Sequence, residues 1–312
     1  MARVLITGAS GFTGRYLVKE LIDDGHFVTQ LDSSNKFDDQ QSITLNSSDK
    51  QTISVNLMDL GALTRAIEVS RPEMVIHLAG IAFVGHDDPN GFYNINLIGT
   101  RNLLQALHNA KAEPERVILA SSANVYGNTL CDSIDEACPV QPLNDYAASK
   151  AAMEMVAKLW FDRFPIVIAR PFNYTGVGQS DSFLVPKIVA HFSRRSSQIK
   201  LGNMDVWRDY SDVRWMAAAY RALMLAGSPG GTYNLGSGTP VSINEIIRKL
   251  EDFSGYRIEI ISDPALVRKN ELYRVCADTT KIKNMPSMPR PMDFEKTLFW
   301  MYEGALLESR LS

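Results

Sequence analysis

Along the first half of the chain, short Val-, Ile- and Leu-rich runs alternate with longer stretches whose apolar residues recur every three or four positions. Val4–Thr7, Phe27–Leu31, Met74–Ala79, Val117–Ser121 and Ile166–Ala169 read as strands. Phe12–Asp23 and Phe92–Leu107 read as helices; in the second, Ile95, Leu97, Leu103, Leu104 and Leu107 recur at helical spacing. Apolar strands separated by helices predict the α/β class, a doubly wound parallel sheet covered on both faces. Phe37–Ser54 is polar and rich in Ser, Asp and Gln, which suits a surface loop or a weak strand, with disorder as a further alternative. After Pro171 the rhythm is lost, and Pro and Gly interrupt shorter elements. The expected division is residues 1–170, holding the sheet, and residues 171–312, a smaller α/β domain. A segment near 231–245, with a strand at Gly231–Gly236, is expected to return to the first domain.

Composition changes this picture little. The chain has 312 residues, 45% of them hydrophobic, enough for one large core or two modest ones. A net charge of -3 removes any global pull towards nucleic acid or an anionic membrane. The opening apolar run is too short for a signal peptide or a spanning helix, so a cytoplasmic protein is expected. Cys131, Cys138 and Cys276 have no zinc spacing and cannot all pair within one chain, so reduced thiols are expected. His86, beside Asp87 and Asp88, has no second histidine at ligand spacing, and no metal is expected.

The first strand runs into Gly8-Ala9-Ser10-Gly11-Phe12-Thr13-Gly14, which opens a helix. Gly8 suits a tight turn, Gly11 lets the backbone approach a pyrophosphate, and Gly14 lets the helix pack against the sheet. The N–H groups at that helix start, from Phe12 and Thr13 onward, favour a phosphate. Glycines alone are weak evidence. Here a strand precedes them, a helix follows, and Asp32 closes the second strand, where a carboxylate accepts from the adenosine ribose hydroxyls. The reading is a Rossmann-type dinucleotide site. Asp32 repels a 2′-phosphate and is followed by Ser33 and Ser34, not by arginine; NAD(H) is favoured and NADP(H) stays open. Leu78-Ala79-Gly80 places small residues where a flat cofactor would pass, although packing alone also explains them.

Tyr146 and Lys150 stand four residues apart, on one face of a helix. The lysine charge and a positive nicotinamide ring both favour phenolate, so the tyrosine pKa is expected to fall towards working pH. Ser122, in Ser121-Ser122-Ala123-Asn124-Val125-Tyr126-Gly127, adds a hydroxyl at the C-terminal edge of the sheet, where open α/β folds bind ligands. In order, Gly8/Gly11/Gly14, His77-Leu78-Ala79-Gly80, Asn96-Leu97-Ile98-Gly99-Thr100, the serine segment and Tyr146/Lys150 resemble the extended short-chain dehydrogenase/reductases, the NAD-dependent epimerase/dehydratase family. The resemblance spans nearly the whole chain. It implies that Ser122 bonds the reacting oxygen, Tyr146 is the acid/base, and Lys150 holds the ribose and tunes the tyrosine. It also implies Leu57 and Tyr146 at the cofactor.

The second half resembles the branch of that family that makes and reduces GDP-4-keto-6-deoxy-mannose. Arg170-Pro171-Phe172-Asn173-Tyr174-Thr175-Gly176-Val177-Gly178-Gln179 is similar to its Arg-Pro-Phe-Asn-x-x-Gly-x-Gly-Gln stretch. The run from Gly202 through Arg208 and Asp209 to Val213, and Arg268-Lys269-Asn270-Glu271, match two further motifs. The likeness implies a nucleotide-diphosphate sugar as ligand. Arg208 and Arg268 would grip the diphosphate, Glu271 the nucleoside ribose, and Asn173 and Lys187 would also contact substrate; guanidinium groups suit bidentate phosphate contacts. Bland readings stand beside these: Arg208 and Asp209 as a surface ion pair, Arg268 and Lys269 as a solvated charge run, Asn173 as a turn residue after Pro171.

Dehydratases of this branch carry a carboxylate two residues after the hydroxyl residue. Here that place holds Asn124, which cannot act as a base. The resemblance then implies reduction of a C4 ketone, to GDP-D-rhamnose, with 4-epimerisation on tightly held NAD as the alternative. A non-catalytic NAD(P)-sensing protein on the same fold is a third reading, opposed by the intact Ser122, Tyr146 and Lys150. Relatives form homodimers through two long helices. Leu103, Leu107, Met153, Val156 and Trp160 are candidates for such a face, unless they cover the sheet.

Overall fold

The computed structural model describes residues 1–33, 43–47, 49–83, 88–129, 131, 133–267 and 273–311. The first half runs β1 (Arg3–Thr7), α1 (Phe12–Asp23), β2 (Phe27–Asp32), β3 (Ile43–Ser47), β4 (Lys50–Ser54), α2 (Leu60–Ser70) and β5 (Met74–His77). It continues with α3 (Pro89–Phe92), a π-helical stretch Tyr93–Gly99, α4 (Thr100–Asn109), β6 (Arg116–Ala120), α5 (Asp145–Lys158) and β7 (Ile166–Pro171). The second half holds β8 (Asn173–Thr175), α6 (Leu184–Ser193), β9 (Gln198–Leu201), β10 (Trp207–Asp212), α7 (Val213–Ala226), β11 (Thr232–Leu235), β12 (Pro240–Ser242) and α8 (Ile243–Ser254). It ends with β13 (Glu259–Ser262), β14 (Arg274–Val275), α9 (Thr280–Lys283) and α10 (Phe294–Leu311).

Eight strands form one sheet in the order β11-β7-β6-β5-β1-β2-β4-β3, all parallel except β3. Successive residues of each inner strand point to opposite faces, and both faces are covered. Leu5, Val75, Val117, Leu119, Ile166 and Ile168 pack with Leu63, Leu103 and Met153 of α2, α4 and α5. Val4, Ile6, Ile76, Ile118 and Val167 pack with Leu17 and Leu21 of α1 and Trp215 and Leu223 of α7. This double burial is why the strands read as unbroken apolar runs. The strand order reverses beside β1, which has β2 on one side and β5 on the other, so the C-terminal ends of β1 and β5 are the switch point at which open α/β sheets bind ligands.

Within the polar Phe37–Ser54 stretch, β3 and β4 pair as an antiparallel hairpin that extends the sheet beyond β2. An edge position does not require an apolar pattern, which is why the strand signal is weak there. The helix expected from 92 carries a π turn, whose consequence for Asn96 is described below. Leu103 and Leu107 are 0% exposed and Met153 is 1% exposed, so these candidates for a dimer face belong to the sheet-covering core. No helix among the described residues is long and apolar enough to cross a membrane.

Beyond β7 a second core gathers Ile188 and Phe192 of α6, Tyr210, Ile246 and Leu250 of α8, and Leu298 of α10. At its centre β10 pairs with β12, β14 and β8. Strand β11 lies parallel beside β7, in register from Thr232↔Ile168 to Leu235↔Pro171.

Candidate active site

The glycine loop is fixed by space as well as by backbone angle. Gly8 has φ +70°, and a Cβ there would lie 2.7 Å from the Ala79 nitrogen. At Gly14 a Cβ would meet the Gly8 carbonyl oxygen at 2.3 Å and the Ala9 Cα at 2.6 Å. Gly11 is the residue before α1, and no side chain caps the helix. The cradle is therefore bare backbone at a helix N-terminus, the arrangement that receives a phosphate. Asp32, at the end of β2, accepts from Ser10 N at 3.1 Å and Ser10 Oγ at 2.9 Å. Those bonds tie the carboxylate to the loop. Gly14→Ala forces α1 off the sheet, because backbone atoms cannot yield as a flexible side chain can. NADH affinity, read by fluorescence titration, should fall about tenfold or more, equivalent to about 1.4 kcal/mol. Unchanged affinity would mean that the cofactor does not use this helix start.

Asn144 caps α5 by accepting from Ala147 N at 2.9 Å, which fixes where Tyr146 enters the helix. Ser122 follows β6 and caps a short 3-10 turn; its Oγ accepts from Asn124 N at 3.2 Å and Asn124 Nδ2 at 3.3 Å. Tyr146 and Ser122 share a hydrogen bond. Lys150 Nζ donates to the Ala120 carbonyl at 2.7 Å, at the tip of β6. The three expected catalytic side chains therefore meet at one sheet edge.

Their electrostatics differ from expectation. Burial pushes the Tyr146 phenol up to about 12, outweighing the bond from Ser122. The chain's own groups do not create a phenolate, since the Lys150 ammonium is turned to a carbonyl. Burial also pulls Lys150 down to about 8, opposed by Glu154. A lysine with a lowered native pKa binds fewer protons folded than unfolded between pH 8 and its ordinary 10.5. Stability should thus rise with pH across that window, by up to about 1.4 kcal/mol per unit. Urea titrations of wild type and Lys150→Met at stepped pH isolate this contribution, and a constant difference between the two would refute it.

A second layer holds these groups. The π turn places Asn96, fully buried, against the loop after β5. Its Oδ1 accepts from Ile81 N at 2.9 Å, and its Nδ2 donates to Ile81 O at 3.2 Å and Ser149 Oγ at 3.0 Å. A Cβ on Gly80 would sit 2.8 Å from Asn96 Oδ1 and 3.2 Å from Lys150 Nζ, so this glycine admits both groups. His77 lies between Thr7 Oγ1 at 2.6 Å and Thr100 Oγ1 at 2.8 Å. Thr100 donates to the Asn96 carbonyl, so His77 carries its proton on Nε2 and accepts from Thr7 on Nδ1. Thr7 Oγ1 in turn accepts from Ala79 N at 3.2 Å. Burial, then the Lys150 charge, drive His77 down to about 3 and keep it neutral.

Sequence reasoning assigned no role to Glu154 or Arg170, yet they form a buried pair one turn beyond Lys150. Arg170 Nε and Nη2 donate to the two carboxylate oxygens at 2.9 and 2.6 Å, and Nη1 donates to Tyr126 OH at 2.9 Å. Ser121 Oγ donates to Glu154 Oε1 at 2.5 Å, and Tyr126 OH donates to Asn234 Oδ1 at 2.6 Å. Burial opposes the Arg170 charge, but Glu154 and Tyr126 outweigh it and hold the guanidinium ionised. Neither residue carried a sequence signal beyond Arg170 opening a matched motif.

The remaining assigned residues make contacts of their own. Phe12 and Thr13 turn their side chains to Tyr174: the rings stack at 6.1 Å, and the hydroxyls lie 2.7 Å apart. Tyr174, another residue the sequence did not single out, thereby joins α1 to the second half. Asn173 beside it is exposed on β8. Leu57 is buried, and its carbonyl accepts from Asn102 Nδ2 at 3.0 Å. Lys187 Nζ donates to Lys200 O at 3.1 Å, and Arg208 Nη1 to Trp207 O at 2.9 Å. The surface-ion-pair reading of Asp209 fails, because that carboxylate is 0% exposed. It accepts from Ser237 N and Oγ, Gly238 N and Ala277 N. Arg268, Glu271, His86 and Asp87 lie outside the described residues. The loop at Gly202 abuts Leu266, since a Cβ on the glycine would lie 2.5 Å from the Leu266 carbonyl oxygen. No group of three or more His, Cys, Asp or Glu among the described residues could hold a metal ion.

Comparison with known proteins bears on the family and the fold. The NAD dependent epimerase/dehydratase family matches residues 4–236. A GDP-6-deoxy-D-mannose reductase of Pseudomonas aeruginosa is 34% identical over 88% of this chain and 87% of its own. A GDP-6-deoxy-D-talose 4-dehydrogenase of Aggregatibacter actinomycetemcomitans is 28% identical over 98% of this chain and 99% of its own. Among solved structures, RMD from Pseudomonas aeruginosa complexed with NADPH superimposes with a TM-score of 0.83 at 28% identity, covering 98% of this chain and 100% of the other. A Burkholderia cenocepacia J2315 protein reaches a TM-score of 0.90 at 40% identity, over 98% of each chain.

Proposed function

The chain belongs to the NAD dependent epimerase/dehydratase family, and from that premise we propose that it reduces the C4 ketone of a nucleotide-linked 4-keto-6-deoxyhexose. The preferred substrate is GDP-4-keto-6-deoxy-D-mannose and the product GDP-D-rhamnose, in keeping with the GDP-sugar relatives. The chain as a whole is a nucleotide-sugar-modifying enzyme of the extended short-chain dehydrogenase/reductase type. Its bare glycine cradle fits a dinucleotide, with Gly8, Gly11, Phe12, Thr13 and Gly14 at the phosphates and Asp32 at the ribose. Leu57, Leu78, Ala79, Gly80, Tyr146 and Lys150 would lie along the rest. When bound, NAD(P)H supplies hydride, and Asp32 favours NADH.

The observation that carries the reading is Tyr146 beside Ser122, with Asn124 where a carboxylate base would stand. Ser122 and Tyr146 would receive the ketone oxygen between them. Charge developing on that oxygen would be met by both hydroxyls, and Tyr146 would hand over its proton. A phenol held at about 12 is protonated at neutral pH, as a reductase's acid must be. Glu154, tied to Arg170, is not free to serve as a base. The same three residues also suit a 4-epimerase, which begins by removing a proton and keeps NAD through both half-reactions.

The test mixes the protein with GDP-4-keto-6-deoxy-mannose and NADH or NADPH, follows reduced nicotinamide by absorbance, and identifies the product by NMR. Stoichiometric oxidation of cofactor supports the reductase, and the C4 configuration separates GDP-D-rhamnose from its C4 epimer. Conversion of UDP- or dTDP-hexoses without net cofactor use would establish the epimerase instead.

A further inference from the structure

Between the turn that holds Ser122 and the helix that holds Tyr146, the chain makes a loop carrying two of its three cysteines. Cys131 is exposed, Cys138 is buried, and their Sγ atoms lie 3.1 Å apart. We propose that this pair is a dithiol site that exchanges with a low-molecular-weight disulfide and closes to a Cys131–Cys138 disulfide.

The Cys138 end of the loop is held still. Ile134 N donates to the Cys276 carbonyl at 2.9 Å, and Ile134 O accepts from Asp278 N at 2.9 Å and Asn234 Nδ2 at 2.8 Å. Asp135 Oδ1 accepts from Ala137 N and Cys138 N, each at 3.0 Å. Cys138 itself packs with Val125, Tyr126 and Phe172 beneath the serine turn. Cys131 thus approaches a stationary partner, and a bond of ~2.05 Å needs the sulfurs to draw in by only about 1 Å.

Burial, then the hydrogen bond with Cys131, push the Cys138 thiol up to about 11, so Cys131 is the entering sulfur. The Cys131 thiolate attacks a disulfide R–S–S–R; the S–S bond breaks, one thiolate leaves and is protonated, and a mixed disulfide remains on Cys131. Cys138 then gives up its proton, and its sulfur attacks the Cys131 sulfur and expels the second thiolate. Two protein thiols are oxidised, and one disulfide is reduced to two thiols. The cross-link adds no atoms to the packed cluster, whereas a retained adduct on Cys138 would have no room. Cys276, buried and likewise pushed up to about 11, takes no part.

The test treats the full-length reduced protein with oxidised glutathione at about pH 8, where an ordinary thiol near 8.5 is partly ionised, then counts thiols and maps peptides by mass spectrometry. The expected wild-type product is cross-linked between 131 and 138, lighter by two hydrogens, with only Cys276 free, and fully restored by dithiothreitol. Cys138→Ala should retain one glutathione on Cys131, and Cys131→Ser should keep both remaining thiols. Should Cys138→Ala fail to fold by circular dichroism, Cys131→Ser still decides, because its side chain is exposed. A wild type that keeps glutathione on Cys131 without closing, forms covalent dimers, or oxidises Cys276 in place of Cys138 overturns the proposal.

Discussion

Tyr146→Phe should lower turnover by about 10²–10⁴ while leaving dinucleotide affinity unchanged. The substitution removes one oxygen and keeps the ring, which packs 5.9 Å from Phe92, so the helix and its lysine stay in place. What is lost is the proton. Lys150 is committed to the Ala120 carbonyl and Glu154 to Arg170, so neither stands ready to replace the phenol. Single-turnover rates with a saturating ketosugar, paired with fluorescence titration of NADH, separate chemistry from binding. A phenylalanine variant that turned over within a few-fold of wild type would place the acid elsewhere. Ser122→Ala should cost less, because it removes a partner of the developing oxyanion and leaves the proton donor.

The largest loss of stability should come from Arg170→Met, at about 3–5 kcal/mol, because a buried carboxylate is left without its counter-charge. Glu154 and Arg170 have side chains only 5% and 7% exposed, and Ser121 alone cannot replace a bidentate guanidinium. Tyr126 would lose its donor as well, which loosens its bond to Asn234 on β11. Replacing both charges in Glu154→Leu/Arg170→Met should recover much of the loss, since a buried pair and an apolar pair of similar volume are nearly equivalent. Urea denaturation of the singles and the double closes the cycle. Additive losses would mean that the two charges do not depend on each other.

Much of the sheet was legible because its strands are buried twice over: β1, β5, β6 and β7 have no polar alternation to confuse them. The hairpin of β3 and β4 was harder to read, since edge strands need no apolar face. The π turn was invisible: the motif beginning at Asn96 marked the residue, but helical spacing does not show the backbone shift that aims it at Ile81. The glycines and the Ser122, Tyr146 and Lys150 set announced themselves through spacing. Charge balance did not. The expected drop in the tyrosine pKa neglected burial, which a sequence does not display, and Glu154 and Arg170 are brought together from a helix and a strand only by the fold. Candidate dimer residues such as Leu103 and Met153 showed the opposite error: apolar helical spacing marks a covered face without saying whether the sheet or a second chain covers it.

Strand β11 and helix α7 carry a consequence for synthesis. One side of the sheet is closed by α2, α4 and α5, all made before β7. The other side needs Trp215, Met216 and Leu223 of α7, and its outer strand ends at Leu235. A chain growing from its N-terminus therefore carries a sheet whose second face is roofed by α1 alone, without α7 over Ile118, through the time taken to make β8, α6, β9 and β10. A ribosome pausing in that interval would hold an adhesive nascent chain, and one cut after residue 170 would leave it so permanently.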